Sequence, residues 1–155
     1  MDREEFVKTK YIEDFYNYVL LKNYSLLTLN SYMNDLYYFY EFLGKDITFA
    51  SEEDIRSYIT YLSKNKKKSS TINRSLSTFK TFYKYLMHNN IISKKDYPLY
   101  KVQYLKREKM LPKFLYYNEL LQILDESNND KDSLRDRLII EMLYATGVRV
   151  SELVN

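Results

Sequence analysis

Only two glycines and two prolines occur in the 155 residues. A chain this poor in turn-forming residues cannot supply the frequent tight turns of a β-sandwich or barrel, so long helices and an all-α fold are expected. Hydrophobic residues make up 45% and charged residues 29%, so a core can be buried. No apolar run of about 18 residues occurs and no charged-then-apolar leader opens the chain. The expectation is a cytoplasmic protein with no membrane partner. The absence of Cys rules out a disulfide framework, a thiol nucleophile and thiolate metal sites. His88 is the only histidine, which excludes a His-rich metal site and argues against a Ser-His-Asp triad, so no metal is expected.

Hydrophobic spacing predicts helices in succession. Roughly Glu4 to Leu21 places Ile12, Phe15 and Val19 on one face. Ser25 caps a second helix with Tyr32, Leu36, Phe39 and Leu43 on one stripe, and Gly44 stops it. Ser51 opens a third, with Glu52, Glu53 and Asp54 at the positive end of its dipole before Ile55, Ile59 and Leu62. Ser69 or Ser70 caps a fourth that runs to about His88, a residue favourable at the negative helix end. Pro98 and Pro112 bracket LYKVQYLKREKML, which lacks a helical stripe and reads as an extended basic interdomain linker over 96–113. Asn118 then caps a short helix through Leu124, and Ser133 caps another from Leu134 to Ala145. Gly147 ends that helix, and Val148 to Val154 starts the next. A helical domain over 1–95 and the opening of a second, truncated domain over 114–155 follow from this pattern.

Charge is distributed unevenly. Between Tyr61 and Lys113, fourteen Lys or Arg stand against two acids, while the remainder carries ten bases and nineteen acids. The asymmetry points to a polyanionic partner, nucleic acid before membrane surface; the plainer alternative is a solvated basic surface. On the fourth helix, Ile72, Leu76, Phe79, Tyr83 and Leu86 share an apolar arc. Asn73, Ser77, Lys80 and Lys84 fall on a different face, with Arg74 and Thr81 at its edge. That face has no acid and suits phosphate contact plus base-edge readout, unless it is simply the solvated side of a core helix. Asn73, Arg74 and Ser77 would contribute sequence preference. Lys80, Lys84, Lys106 and Lys109 would contribute mostly sequence-blind attraction, and Arg107 is a further expected DNA contact. No carboxylate pair for acid–base work is evident, and most tyrosines, such as Tyr32 and Tyr83, sit on core stripes.

The stretch RDRLIIEMLYATGVRVSEL resembles the box that carries the first catalytic arginine of tyrosine recombinases, the phage-integrase and Xer-type family. The matching residues are Arg135-Asp136-Arg137, Leu143-Tyr144-Ala145-Thr146-Gly147, Arg149 and Ser151-Glu152-Leu153. Upstream, Thr71-Ile72-Asn73-Arg74, Leu76-Ser77 and Phe82-Tyr83 look like the DNA-contacting helix of that family's core-binding domain. Ser25 to Leu36, with Thr28, Tyr32, Asp35 and Leu36, looks like its second helix.

The resemblance implies a SAM-like helical bundle followed by the first helices of a catalytic domain, closing as a C-shaped clamp on DNA. Thr28, Ser70 and Thr71 join the expected DNA contacts. In the family a tyrosine attacks the scissile phosphodiester, leaving a 3′-phosphotyrosyl bond and a free 5′-hydroxyl, with no metal or nucleotide cofactor. By position Arg149 would be the first phosphate-holding arginine, with Glu152 orienting it. The implied partners are double-stranded DNA and other recombinase protomers on it. The second arginine, its partner histidine, the lysine and the nucleophilic tyrosine would lie beyond Asn155. The 155-residue chain is therefore expected to bind DNA without completing strand transfer. A stand-alone DNA-binding module and a helical protein-interaction domain with tyrosine-rich stripes are the competing readings.

Overall fold

The computed structural model describes residues 6, 9–106, 111, 113–126 and 133–154. The chain divides into two compact units, Met1–Glu108 and Lys109–Asn155. The first unit contains α1 (Lys10–Leu21), α2 (Leu26–Leu43), α3 (Glu52–Lys64) and α4 (Ser69–His88), with 3-10 turns at Ile47–Phe49 and Lys94–Asp96. The second contains α5 (Tyr117–Glu126), α6 (Ser133–Thr146) and α7 (Val150–Leu153). Among the described residues there is no strand, and no helix is long and apolar enough to cross a membrane.

Local chemistry sets most of the helix ends. The Ser25 hydroxyl accepts from the Thr28 N–H at 3.2 Å, and Gly44 closes α2 in the left-handed region at φ 65°. Ser51 and Asp54 form a reciprocal capping box on α3. α4 starts differently from expectation: Lys68 is its N-cap and makes no side-chain cap bond, so Ser69 and Ser70 lie inside the helix. α1 begins at Lys10 after Thr9, and Glu4 lies outside the described residues. α5 begins at Tyr117, one residue before Asn118, and the Glu119 carboxylate accepts from the Tyr116 N–H at 2.8 Å in place of an Asn118 cap. Gly147 follows α6 at φ 64° and donates to the Leu143 carbonyl at 2.9 Å.

The first unit has an aromatic core. α2 packs on α1, α3 and α4. Phe15 meets Phe82 edge-on at 5.1 Å, and Phe39 meets Phe79 at 4.7 Å and Tyr58 at 5.1 Å. α4 is buried well beyond its apolar arc: Asn73, Ser75, Thr78, Phe82 and Tyr85 are buried too. Ser75 and Thr78 are covered by α2, where both donate to Asp35, and Phe82 and Tyr85 by α1, where both meet Phe15, whereas Asn73 is covered by the chain that follows α4. Leu99 and Val102 are buried and Leu105 packs against the same core. The first part of the stretch read as a linker is therefore a strap belonging to the first unit. Leu99, Val102 and Leu105 recur every third residue, while Lys101, Gln103 and Tyr104 stay exposed. That short apolar stripe is enough to pin the segment, which turns at 98–101, where the Val102 N–H donates to the Leu99 carbonyl at 3.3 Å, and has no helix or strand from Val102 to Lys106.

Candidate nucleic-acid interface and phosphate ligand

The outer face of α4 is where the first expectation needs correcting. Asn73 is only 3% exposed. Its amide donates to the Leu105 carbonyl and accepts from the Leu105 N–H, both at 2.8 Å. Both ends of the amide are thus used by the strap, and Asn73 does not present itself to a base edge. Ser77 donates to the Asn73 carbonyl at 3.0 Å and lies 3.2 Å from the Tyr104 hydroxyl. The Lys80 ammonium sits over the Tyr104 ring, 3.8 Å from its centroid. Tyr104, itself half-exposed, escaped the sequence reading because only the return of the strap places it beside α4.

Arg74 also has a structural partner. Its Nη2 donates to Asp35 on α2 at 2.9 Å, although nearly half of its side chain remains exposed. Asp35 also accepts from Ser75 at 3.0 Å and from Thr78 at 2.9 Å. Burial pushes the Asp35 carboxyl above its ordinary value, against the pull of Arg74 and the two hydroxyls. Arg74 therefore joins α4 to α2 before it can touch anything outside. Thr28 is half-buried and shares a 2.9 Å hydrogen bond with Ser25. Thr71 is half-buried, whereas Ser70, Lys84 and Lys106 are exposed. Arg107 and Lys109 lie outside the described residues.

Further exposed cations are Lys66, Lys67, Lys68, Lys94, Lys95 and Lys101. The first three lead directly into the positive end of α4, whose first turn holds no acid to offset them. Burial pushes the phenols of Tyr58 and Tyr83 far above their ordinary value, and Tyr83 donates to the Ile47 carbonyl. Neither is placed to ionise or attack. Among the described residues no group of His, Asp or Glu could hold a metal ion.

In the second unit, Arg149 is the N-cap residue of α7. Its Nη1 donates to one Glu152 oxygen at 2.8 Å, and its backbone N–H donates to the other at 2.8 Å. One carboxylate thus holds both the main chain and the guanidinium of the same arginine. The Arg149 side chain is 79% exposed, so its other N–H groups are within reach of an anion. The planar fork suits the two non-bridging oxygens of a phosphodiester.

Comparison with known proteins covers both units. Residues 12–90 match the phage integrase N-terminal SAM-like domain, and residues 113–155 match the phage integrase family. The chain is 41% identical over 140 residues to Tyrosine recombinase XerC of Staphylococcus aureus (strain bovine RF122 / ET3-1), covering 86% of this chain and 46% of that protein. It is 38% identical over 152 residues to Tyrosine recombinase XerC of Staphylococcus epidermidis (strain ATCC 12228 / FDA PCI 1200), covering 93% of this chain and 50% of that protein. The chain spans about half the length of these relatives. With an all-α first unit that carries the SAM-like match, and a second unit whose match includes Arg149, the chain belongs to the phage integrase family.

Proposed function

We propose that the chain supplies duplex-DNA binding and the first phosphate-holding arginine of a site-specific tyrosine recombinase, working in the cytoplasm. The observation that carries this reading is the basic block, fourteen cations against two acids between Tyr61 and Lys113. Its described cations are all exposed except Lys80, which Tyr104 partly covers. Phosphate attraction of this kind provides affinity and orientation along the duplex. Domains over 1–95 and 114–155 fit the reading, with the DNA-binding body extended by the strap through Leu105.

In the complete protein a tyrosine would cut and rejoin DNA through a 3′-phosphotyrosyl intermediate, without a metal or small-molecule cofactor. Arg149, steadied by Glu152, would offset charge gathering on the phosphate in the pentavalent transition state. Further recombinase protomers would be its neighbours on DNA. The names of the staphylococcal relatives support this reading of the whole protein.

The test is the affinity of the 155-residue chain for a labelled duplex, followed by fluorescence anisotropy across salt. Counterion release predicts a slope of about −0.9 in log K against log salt for each phosphate neutralised. Six or so contacts would therefore lose about a thousandfold between 50 and 200 mM salt. Affinity that stays flat over that range would overturn the reading.

A further inference from the structure

The strap and α4 share a set of contacts that the family match does not explain. Asn73 brackets the Leu105 peptide with two hydrogen bonds, and it does so from a buried position, the kind of bidentate grip that fixes register as well as position. One residue before the grip, Tyr104 lies under the Lys80 ammonium and beside the Ser77 hydroxyl. One residue after it comes the exposed Lys106. Upstream, Val102 is buried and the Lys101 carbonyl is within 3.4 Å of an Arg56 Nη2. The strap is thus tied at its middle by packing and by Arg56, and at its end by the two Asn73 bonds together with the packing of Leu105 and the Ser77 and Lys80 contacts to Tyr104.

We propose that Asn73 is a positioning residue for DNA binding: by holding Leu105 it fixes the strap along α4, so that Lys80, Tyr104 and Lys106 form one surface for the phosphate backbone. The inference rests on the DNA-binding reading above and goes beyond it by placing the contact surface on strap and helix together. A lysine already held against a ring loses less freedom when a phosphate arrives than one free in solvent. A cation adjacent to a fixed peptide likewise has a defined origin. Asn73 then acts without touching DNA, and its loss weakens binding to every duplex alike. A base-reading residue would instead lose affinity selectively.

The experiment compares Asn73→Ala with Ile72→Val in the 155-residue chain. Ile72→Val trims the buried neighbouring position without touching the strap and serves as a stability control. The Leu105 amide is followed by hydrogen exchange, and affinity is measured on a specific and a scrambled duplex at two salt concentrations. In Asn73→Ala the Leu105 amide should exchange about tenfold faster or more, as expected when its buried acceptor is removed. Affinity should drop about three- to tenfold on both duplexes, with the salt slope shallower by about one phosphate's worth. Ile72→Val should leave both readouts at wild-type values.

Unchanged exchange at Leu105 overturns the clamp, whatever the DNA result. Faster exchange with wild-type affinity overturns the role in DNA binding and leaves the proposed function standing. A loss confined to the specific duplex overturns positioning in favour of direct readout. A wild-type chain that binds neither duplex overturns the proposed function, and this inference with it.

Discussion

At the residue scale, Arg149 and Glu152 form an ion pair whose importance lies in geometry more than in stability. Exposed ion pairs contribute about 0–1 kcal/mol, so breaking this one should hardly change folding. A preorganised donor to a phosphoryl transition state is a different matter, worth on the order of a hundredfold in rate or more. We predict that Arg149→Ala, in a chain extended through the nucleophile, slows trapping of the covalent phosphotyrosyl complex on a nicked duplex by about a hundredfold or more. Duplex affinity should change far less, because it is spread over many cations. Arg149→Lys should rescue poorly, since an ammonium keeps the charge and loses the two-pronged fork. Trapping at the wild-type rate would show Arg149 to be an ordinary surface arginine.

At the element scale, α4 is joined to α2 through Asp35 and to the strap through Asn73. Asp35→Ala removes the acceptor that Ser75 and Thr78 share, leaving each hydroxyl only its longer 3.3 Å bond to the Thr71 or Arg74 carbonyl, and takes away the counter-charge of Arg74. Because Arg74 is half-exposed and can rehydrate, the expected cost is about 2–3 kcal/mol, below that of a fully buried pair. Urea unfolding measures it, and a cost under about 0.5 kcal/mol, typical of a surface substitution, would remove Asp35 from the joint. The pH dependence has a definite sign. Burial raises the Asp35 carboxyl, so the proton-linked part of its contribution is fully present below the unfolded value of ~4 and is lost as pH rises through the folded value, while the bonds from Arg74, Ser75 and Thr78 remain. At Asp54, burial also raises the carboxyl, but the Ser51 N–H and hydroxyl and the Lys45 ammonium outweigh it and lower the value. That contribution is present above ~4 and lost as pH falls through the folded value. Asp35→Asn should therefore flatten the stability profile on the high side of that pH and Asp54→Asn on the low side. Several elements differ in how far the sequence revealed them. The Ser51–Asp54 box, Gly44 and the arc from Ile72 to Leu86 depend on neighbours within a turn or two and were legible. The Asn73 clamp joins residues 32 apart, a pairing that no local spacing announces, so an asparagine on an acid-free face read as a contact to DNA bases. The Arg149–Glu152 pair was singled out through the resemblance, and the three-residue spacing supplied only the reason that the two side chains can meet.

At the scale of the whole molecule, the two units differ in how much they bury. The first encloses a continuous core that runs from Phe6 and Ile12 to Leu99 and Val102. In the second, Leu120 and Leu124 are buried, but Leu134 is 83% exposed and Leu138 and Val150 are 64% exposed each. Each large side chain left in water forgoes about 1.5–3 kcal/mol of burial, so the second unit should open far more readily. We predict two tiers of amide protection by native-state hydrogen exchange. Amides of α2 and α4 should exchange only when the first unit unfolds as a whole, whereas those of α6 and α7 should exchange about a hundredfold faster or more. Urea unfolding by circular dichroism should correspondingly depart from a single two-state transition. Uniform protection with one coincident transition would mean that the whole chain unfolds as one body, against this prediction. Added duplex sharpens the test, because a ligand stabilises only what binds it. At a hundred times its Kd it contributes about 2.7 kcal/mol to the binding unit. If the basic block and strap hold the DNA, that gain should appear at the α4 and Leu105 amides. It should leave α6 nearly unchanged, because Arg149 alone adds little to affinity. Protection rising chiefly in α6 and α7 would place the principal DNA contact in the second unit and remove the first from that role.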